Sequence, residues 1–253
     1  ILFDDFFFTS IDEDVIIHIY PNTVEYLFYQ YIAQKPTAIE IFTTNYKSYL
    51  LNFPEVNSHK FVDNFRTVPM INAKFIQSYT PEFEIEKLEL TKKWKTRKIS
   101  TFEYLMWLNY FSGRSFNNLE AYPIFPWILM DYTSSELNLD DVSIYRDLSK
   151  PIGAINPNKL NKLLQLKNES MQQQSFLYNS TYSSLFMVLH LLIRQEPFTS
   201  IHIKYQDNKF DVPSRIFHSI KDNFERVYNQ NSNFRELIPE FFFSTEFLMN
   251  NNN

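Results

Sequence analysis

Only two glycines occur in 253 residues, so nearly every turn of this chain has to be made without the one residue that enters left-handed backbone freely. Both fall in one block, Phe102 to Pro157, which reads FEYLMWLNYFSGRSFNNLEAYPIFPWILMDYTSSELNLDDVSIYRDLSKPIGAINP. In so glycine-poor a chain, Gly113 is expected to serve a helix exit and Gly153 a tight turn. The block is therefore where backbone geometry is specified most tightly. The same scarcity excludes chemistry. A Walker loop or a dinucleotide fingerprint needs several glycines within a few residues, and no G-x-S-x-G elbow is present.

The length suits one large domain, or a large domain with part of a second, and a substantial core. The absence of cysteine removes disulfides, thiolate nucleophiles and cysteine metal sites, and fits a reducing compartment such as the cytosol. A net charge of -5 and a pI near 5.6 leave no broad basic field for nucleic acid or an anionic membrane. One basic cluster stands out beside Trp94: Lys92, Lys93, Lys95, Arg97 and Lys98. It offers cations to phosphates, but reads first as the solvated start of a helix. Aromatic residues make up 18% of the chain, in company with much Ile, Asn and Lys; a coding bias explains them in bulk. No basic n-region precedes the apolar opening, and Leu185 to Ile193 is about half the length of a membrane span. The lack of an initial Met suggests a segment of a longer polypeptide.

The first third reads as strands: Asp14 to Tyr20, Val24 to Ala33, Thr37 to Thr44 and Ser48 to Phe53, separated by Pro21, Asn22, Lys35, Pro36, Asn45 and Lys47. Asn45 sits where a short turn joins two antiparallel strands. A helix is expected over Glu55 to Arg66, with Val56, Phe61, Val62 and Phe65 on one face. Thr67 to Leu90 reads as an acidic linker punctuated by Pro69 and Pro81, with one short helix and solvated Glu82, Glu84, Glu86 and Glu89.

From Leu90 the pattern is mostly helical. Ser100 with Glu103 forms a capping box, predicting a helix over Thr101 to Phe111 that ends at Gly113. Pro123 and Pro126 forbid a continuous helix between Leu119 and Asp131 and press their neighbours into extended backbone. Asn156 and Pro157 open another helix, with Leu160, Leu163 and Leu164 on one face. Tyr182 to Arg194 reads as an apolar helix, and Pro213 to Asn229 as an amphipathic one. Leu237 to Met249 is apolar, interrupted by Pro239.

The segment LTKKWKTRKISTFEYLMWLNYFSGRSFNNLEAYPIFPWILMDY resembles the opening of a BEACH domain, the module of the beige/Chediak-Higashi and neurobeachin-like proteins. RDLSKPIGAINP, FLYNSTYSS, LIRQEPFTSIHIKYQDNKFD, SRIFHSI and ELIPEFFF follow in that family's order. The resemblance covers roughly Leu90 to Asn250. Upstream, IEIFTTNYKSYLLNF is similar to the end of the pleckstrin-homology-like domain that precedes BEACH. The implied fold is α+β and multidomain: residues 1–66 form the later part of a PH-like barrel with its C-terminal helix, 67–89 a linker, and 90–253 a mostly α BEACH domain with long irregular extended segments. The barrel's first strands and the family's last BEACH segments are absent, so both domains read as truncated. The departures also matter. Where the family usually reads GRSYNDL, this chain has Gly113, Arg114, Ser115, Phe116, Asn117, Asn118 and Leu119. Where it usually reads YGTHYS, this chain has Tyr178 to Ser183 without the glycine and histidine, which weakens any catalytic role for those groups.

No catalytic arrangement emerges from the residues themselves. His18, His59, His190, His202 and His218 lack metal-ligand spacing, and His190 reads as a core histidine. No cofactor, metal or catalytic residue is expected. Two readings compete for Arg114, Arg146, Asp147 and Lys150: a polar surface that engages the PH-like domain or a partner protein, or buried pairing for irregular backbone. The second is favoured for Arg114, Ser115 and Asp147. Gly113, Ser115, Pro123, Pro126, Trp127, Pro151, Gly153, Glu196, Pro197 and Phe198 read as structural motif positions.

The resemblance implies a non-enzymatic scaffold segment of a large cytoplasmic protein acting in vesicle trafficking, lysosome or endosome biogenesis and membrane fission or fusion. It places protein partners in the groove between the PH-like and BEACH domains, WD-type repeats downstream, peripheral contact with vesicle or endolysosomal membranes, and no nucleic acid. The alternative is a peripheral membrane adaptor that binds lipid through the PH-like domain. That alternative needs basic residues in the barrel's absent first strands; in the strands present, Lys35 and Lys47 stand alone.

Overall fold

The computed structural model describes residues 6–9, 16–53, 73–77, 79–169 and 182–249. They form two compact units, Ile1–Asn118 and Leu119–Asn253, of mixed α+β class. The helix expected over Glu55 to Arg66 and most of FLYNSTYSS lie outside the described residues.

The first unit is built on a four-stranded sheet. Strands β3 (Val24–Ile32), β4 (Lys35–Thr43) and β5 (Ser48–Asn52) run antiparallel in sequence, and β6 (Phe75–Ile76) adds parallel to β3. A separate antiparallel pair joins β1 (Phe6–Thr9) to β2 (Ile16–Ile19). The expected strands are present with ends shifted by a residue or two. The first turn moves, however. Ala33 and Gln34, at φ 47° and 65°, make the two-residue hairpin, while Lys35 and Pro36 belong to β4. Pro36 falls at the register shift opposite Gln30 to Ile32, a place where a sheet tolerates a residue without an N–H. Tyr46, Glu89, Arg97, Asp207 and Asn208 also take positive φ, so most left-handed turns here are made at a steric cost.

Both faces of the sheet are apolar, which is why β3 and β4 read as continuous rather than alternating strands. On one face Leu27, Tyr29, Ile39 and Ile41 join Ile19 and Val24 in a buried cluster. On the other, Phe28 packs with Phe75, Leu90 and Phe111. Helices α1 (Pro81–Lys87), α2 (Leu90–Lys95) and α3 (Thr101–Phe111) belong to this unit. The stretch expected to be a linker with one short helix supplies that helix and, beyond expectation, a sheet strand. Glu84, expected in solvent, is fully buried, and its Oε1 accepts from the Tyr79 backbone N–H at 3.1 Å. The basic cluster sits at the end of α2 rather than at a helix start.

Helix α3 follows its local code. Ser100 Oγ accepts from Glu103 N–H at 3.0 Å, and Gly113 at φ 78° closes the helix as Arg114 N–H reaches Asn109 C=O at 3.0 Å.

In the second unit, Pro123 and Pro126 hold the expected extended segment. Phe125 bridges Leu237, Leu129 bridges Tyr145, and Trp127 is wholly buried. Helices α4 (Pro157–Glu169), α5 (Leu185–Leu191), α6 (Phe198–Tyr205), α7 (Ile220–Asn229) and α8 (Glu240–Phe243) follow it along the chain, and Phe224 of α7 and Phe241 of α8 pack on Trp127. Two helices are shorter than expected because hydroxyl caps start them later. Ser184 Oγ accepts from Met187 N–H, and Ser219 Oγ accepts from Asp222 N–H, so Tyr182–Ser183 and Pro213–His218 stay outside. Residue Leu164, expected on the apolar face of α4, is 48% exposed, while Lys159 is buried. Gly153 is not a left-handed turn. It lies in a 3-10 turn, Ile152–Ala154, where a Cβ would come within 2.6 Å of the Phe234 ring, so close packing is what requires glycine.

Candidate functional site

The second face of the sheet and α3 enclose an open cleft of about 190 Å³ lined by Tyr26, Phe28, Phe42, Glu103, Met106, Trp107 and Tyr110. Its walls arise from two periodicities. Alternation along the strands points Tyr26, Phe28 and Phe42 the same way, and the helical repeat puts Glu103, Met106, Trp107 and Tyr110 on one side of α3. The rings meet mostly edge to face: Phe42 and Tyr110 at 5.0 Å, Phe28 and Trp107 at 5.6 Å, Tyr26 and Trp107 at 6.0 Å. The one charged lining side chain, Glu103, is exposed.

Beside the cleft lies a buried polar cluster centred on Glu40, which is 0% exposed. Ser115 Oγ donates to its Oε1 at 2.5 Å, Asn117 Nδ2 to the same oxygen at 3.2 Å, and Gln30 Nε2 to Oε2 at 3.1 Å. Asn117 also donates to Ser48 Oγ at 2.9 Å. The carboxyl thus ties β3, β4 and β5 to the loop after α3. Burial pushes it up to about 7, against the opposing pull of the three hydrogen bonds. Burial, and then the charge of Glu40, hold the Tyr110 hydroxyl protonated well above its ordinary range.

In the second unit Arg146 is buried and internally engaged. Its Nη1 donates to Glu236 Oε2 at 2.8 Å and Nη2 to Lys150 C=O at 3.1 Å. The same Oε2 accepts from Trp127 N–H at 3.0 Å, and Trp127 Nε1 donates to Arg235 C=O at 2.9 Å. Asp147, expected to be buried, has a side chain 51% exposed. It pairs with exposed Lys150 at 3.2 Å and accepts from Ser149 N–H at 3.0 Å, so it serves the backbone of a solvent-side turn rather than a buried one. Half-buried Arg114 belongs to the first unit, so the four charged positions are divided between the units. Pro151 precedes the Ile152–Ala154 turn. Glu196, Pro197 and Phe198 open α6, where Glu196 Oε2 accepts from Ser200 N–H at 3.2 Å.

The residue reading missed Glu40, Lys159 and Glu236. A lone acid inside the apolar run IEIF was the available signal for Glu40. None existed for Lys159, whose Nζ donates to Val227 C=O at 2.7 Å and Asn233 C=O at 2.6 Å and lies 4.5 Å from the Phe234 ring centre. Burial pulls that amine down to about 8. His190 is a core residue, pushed down to about 3 chiefly by burial. Among the described residues no group of three or more His, Cys, Asp or Glu could hold a metal, and no helix is long and apolar enough to cross a membrane.

The Beige/BEACH domain family model matches residues 92–253, from α2 through the second unit. The chain belongs to the Beige/BEACH domain family. It is 41% identical over 246 residues to the BEACH domain-containing protein lvsD of Dictyostelium discoideum, a match covering 86% of this chain and 8% of that protein. It is 42% identical over 221 residues to lvsE of the same organism, covering 84% and 10%. To BEACH domain-containing protein B of Arabidopsis thaliana it is 40% identical over 191 residues, covering 74% and 7%. The chain therefore spans a tenth or less of these relatives. The aromatic cleft straddles the start of the family match: α3 lies inside it, and strands β3 and β4 lie before it.

Proposed function

We propose that this BEACH segment is a non-enzymatic scaffold that captures a protein partner in the aromatic cleft between the sheet and α3. In this reading residues 1–66 are the later part of a PH-like barrel, 90–253 the BEACH domain, and the cleft is the groove at their junction. The carrying observation is the size and lining of the cleft. Small-molecule sites usually enclose roughly 300–1,000 Å³, whereas a cavity of about 150 Å³ already takes a benzene. At about 190 Å³, the cleft suits one aromatic or large aliphatic side chain of a partner, the anchor-in-pocket arrangement that dominates protein interfaces. The family supports a role in vesicle trafficking and lysosome or endosome biogenesis, in the cytoplasm and peripheral to those membranes, within a larger protein carrying WD-type repeats.

The test is site-specific photocrosslinking in the full-length protein. A crosslinker at Glu103 should give discrete adducts that a crosslinker at exposed Gln165 does not, and Phe42→Ala, which removes one wall of the cleft, should abolish them while the protein remains folded by thermal melting. Identical adducts from both positions, or adducts unchanged by Phe42→Ala, would refute the reading.

A further inference from the structure

We infer that the basic turn at the end of α2, Lys92 to Lys98 with Trp94, is a docking surface for an anionic lipid membrane. This goes beyond the partner cleft and uses different residues.

Five cations occupy seven positions here: Lys92, Lys93, Lys95, Arg97 and Lys98. Without them, nineteen cations face twenty-nine acids, a balance of -10, so this turn is a local positive pole on an acidic chain. Backbone geometry concentrates it. Arg97 takes φ 59°, Arg97 N–H bonds Trp94 C=O at 2.9 Å, and Lys98 N–H returns to Lys93 C=O at 2.8 Å, closing the helix in one tight turn. Lys92, Lys95, Arg97 and Lys98 are exposed and Lys93 half-buried.

Cations at a helix C-terminus ordinarily answer the helix dipole, but that dipole supplies only about half a negative charge. Glu89 adds one more, committed to Lys92 at 2.5 Å. The five cations therefore exceed what the dipole and Glu89 supply by more than three charges. Lys93, Lys95, Arg97 and Lys98 have no carboxylate within ion-pairing distance among the described residues. Acids farther away than a Debye length of about 8–10 Å do little to cancel them.

Trp94 favours a membrane over nucleic acid or an acidic peptide. The residue is 36% exposed, one face of its indole stacks on Tyr104 at 4.8 Å and 4°, and Nε1 donates to Thr101 Oγ1 at 3.1 Å. With its donor satisfied internally and a ring face already occupied, it presents an apolar edge. Such an edge beside cations suits the headgroup boundary of a bilayer.

The experiment is co-sedimentation of the full 253-residue chain with vesicles of phosphatidylcholine alone or mixed with phosphatidylserine. The chain should bind the mixed vesicles and not the neutral ones, and high salt should release it. The exposed triple variant Lys95→Gln/Arg97→Asn/Lys98→Gln should weaken binding about a hundredfold, since each cation near such a surface contributes roughly fivefold. A blue shift of tryptophan emission should accompany binding and vanish in Trp94→Phe. The inference is overturned if neutral vesicles bind equally well, if the folded triple variant binds like the parent, or if the chain ignores vesicles. Capture of RNA or polyglutamate in place of vesicles would reassign the surface.

Discussion

Replacing Glu40 by glutamine should remove a pH dependence of stability from the first unit. Glu40 is buried among neutral donors, Ser115, Asn117 and Gln30, and burial raises its carboxyl from 4.5 to about 7. Between those values the folded chain holds a proton that the unfolded chain releases, so stability falls as pH rises through this window and levels off above about 7. At 1.36 kcal/mol per pH unit, the window from 4.5 to about 7 amounts to roughly 3 kcal/mol. Below pH 4.5 the parent carries a neutral carboxyl of nearly the same shape as the amide of E40Q, and the two should be similar. The neighbour is suited to either: Gln30 Oε1 is buried without a hydrogen bond, and a half-turn of that amide lets it accept from a proton on Glu40 or from the amide of E40Q. Amide hydrogen exchange in β3 and β4 at pH 5 and pH 8, corrected for intrinsic rates, reads this local stability without requiring the whole chain to unfold in one step. The variant should gain up to two orders of magnitude in protection over the parent at pH 8, and little at pH 5. Equal pH slopes in both proteins, or a variant less protected at pH 8, would refute the reasoning.

Three further outcomes follow from particular contacts. Gly153→Ala drives a Cβ to 2.6 Å from the Phe234 ring and should destabilise the second unit by about 1–3 kcal/mol, read as a lower denaturant midpoint. Arg146→Met strands Glu236 in the interior and should cost about 3–5 kcal/mol, whereas Arg146→Met/Glu236→Leu should recover much of that loss in a double-mutant cycle. Ser100→Ala removes the cap of α3 and should cost about 1 kcal/mol, visible as faster exchange of the Glu103 amide.

The boundary between legible and illegible features runs along contact range. Family membership, the β3–β4–β5 meander, the Ser100 cap, the Gly113 exit and the proline-held extended segment could all be read from neighbouring residues. Each depends on local steric limits or hydrogen bonds spanning a few positions. Helix starts at Ser184 and Ser219 were less legible because several apolar residues upstream continue the periodicity past the cap. Other features needed partners far along the chain. Glu40 meets Ser115 across 75 residues, Arg146 meets Glu236 across 90, and Lys159 finds Asn233 across 74. Apart from the apolar run around Glu40, nothing within a few positions marks those groups as buried.

The two glycines divide along the same line. Gly113 was legible because a left-handed helix exit is set by the backbone itself. Gly153 does lie in the expected tight turn, but the reason for glycine there was not legible, since its constraint is the Phe234 ring. The sequence alone determined which backbone shapes were affordable and which family the chain joins. The tertiary structure alone decided which charges are buried, which glycine is a packing gap, and where aromatic side chains leave a cleft, because burial arises only when distant segments pack together.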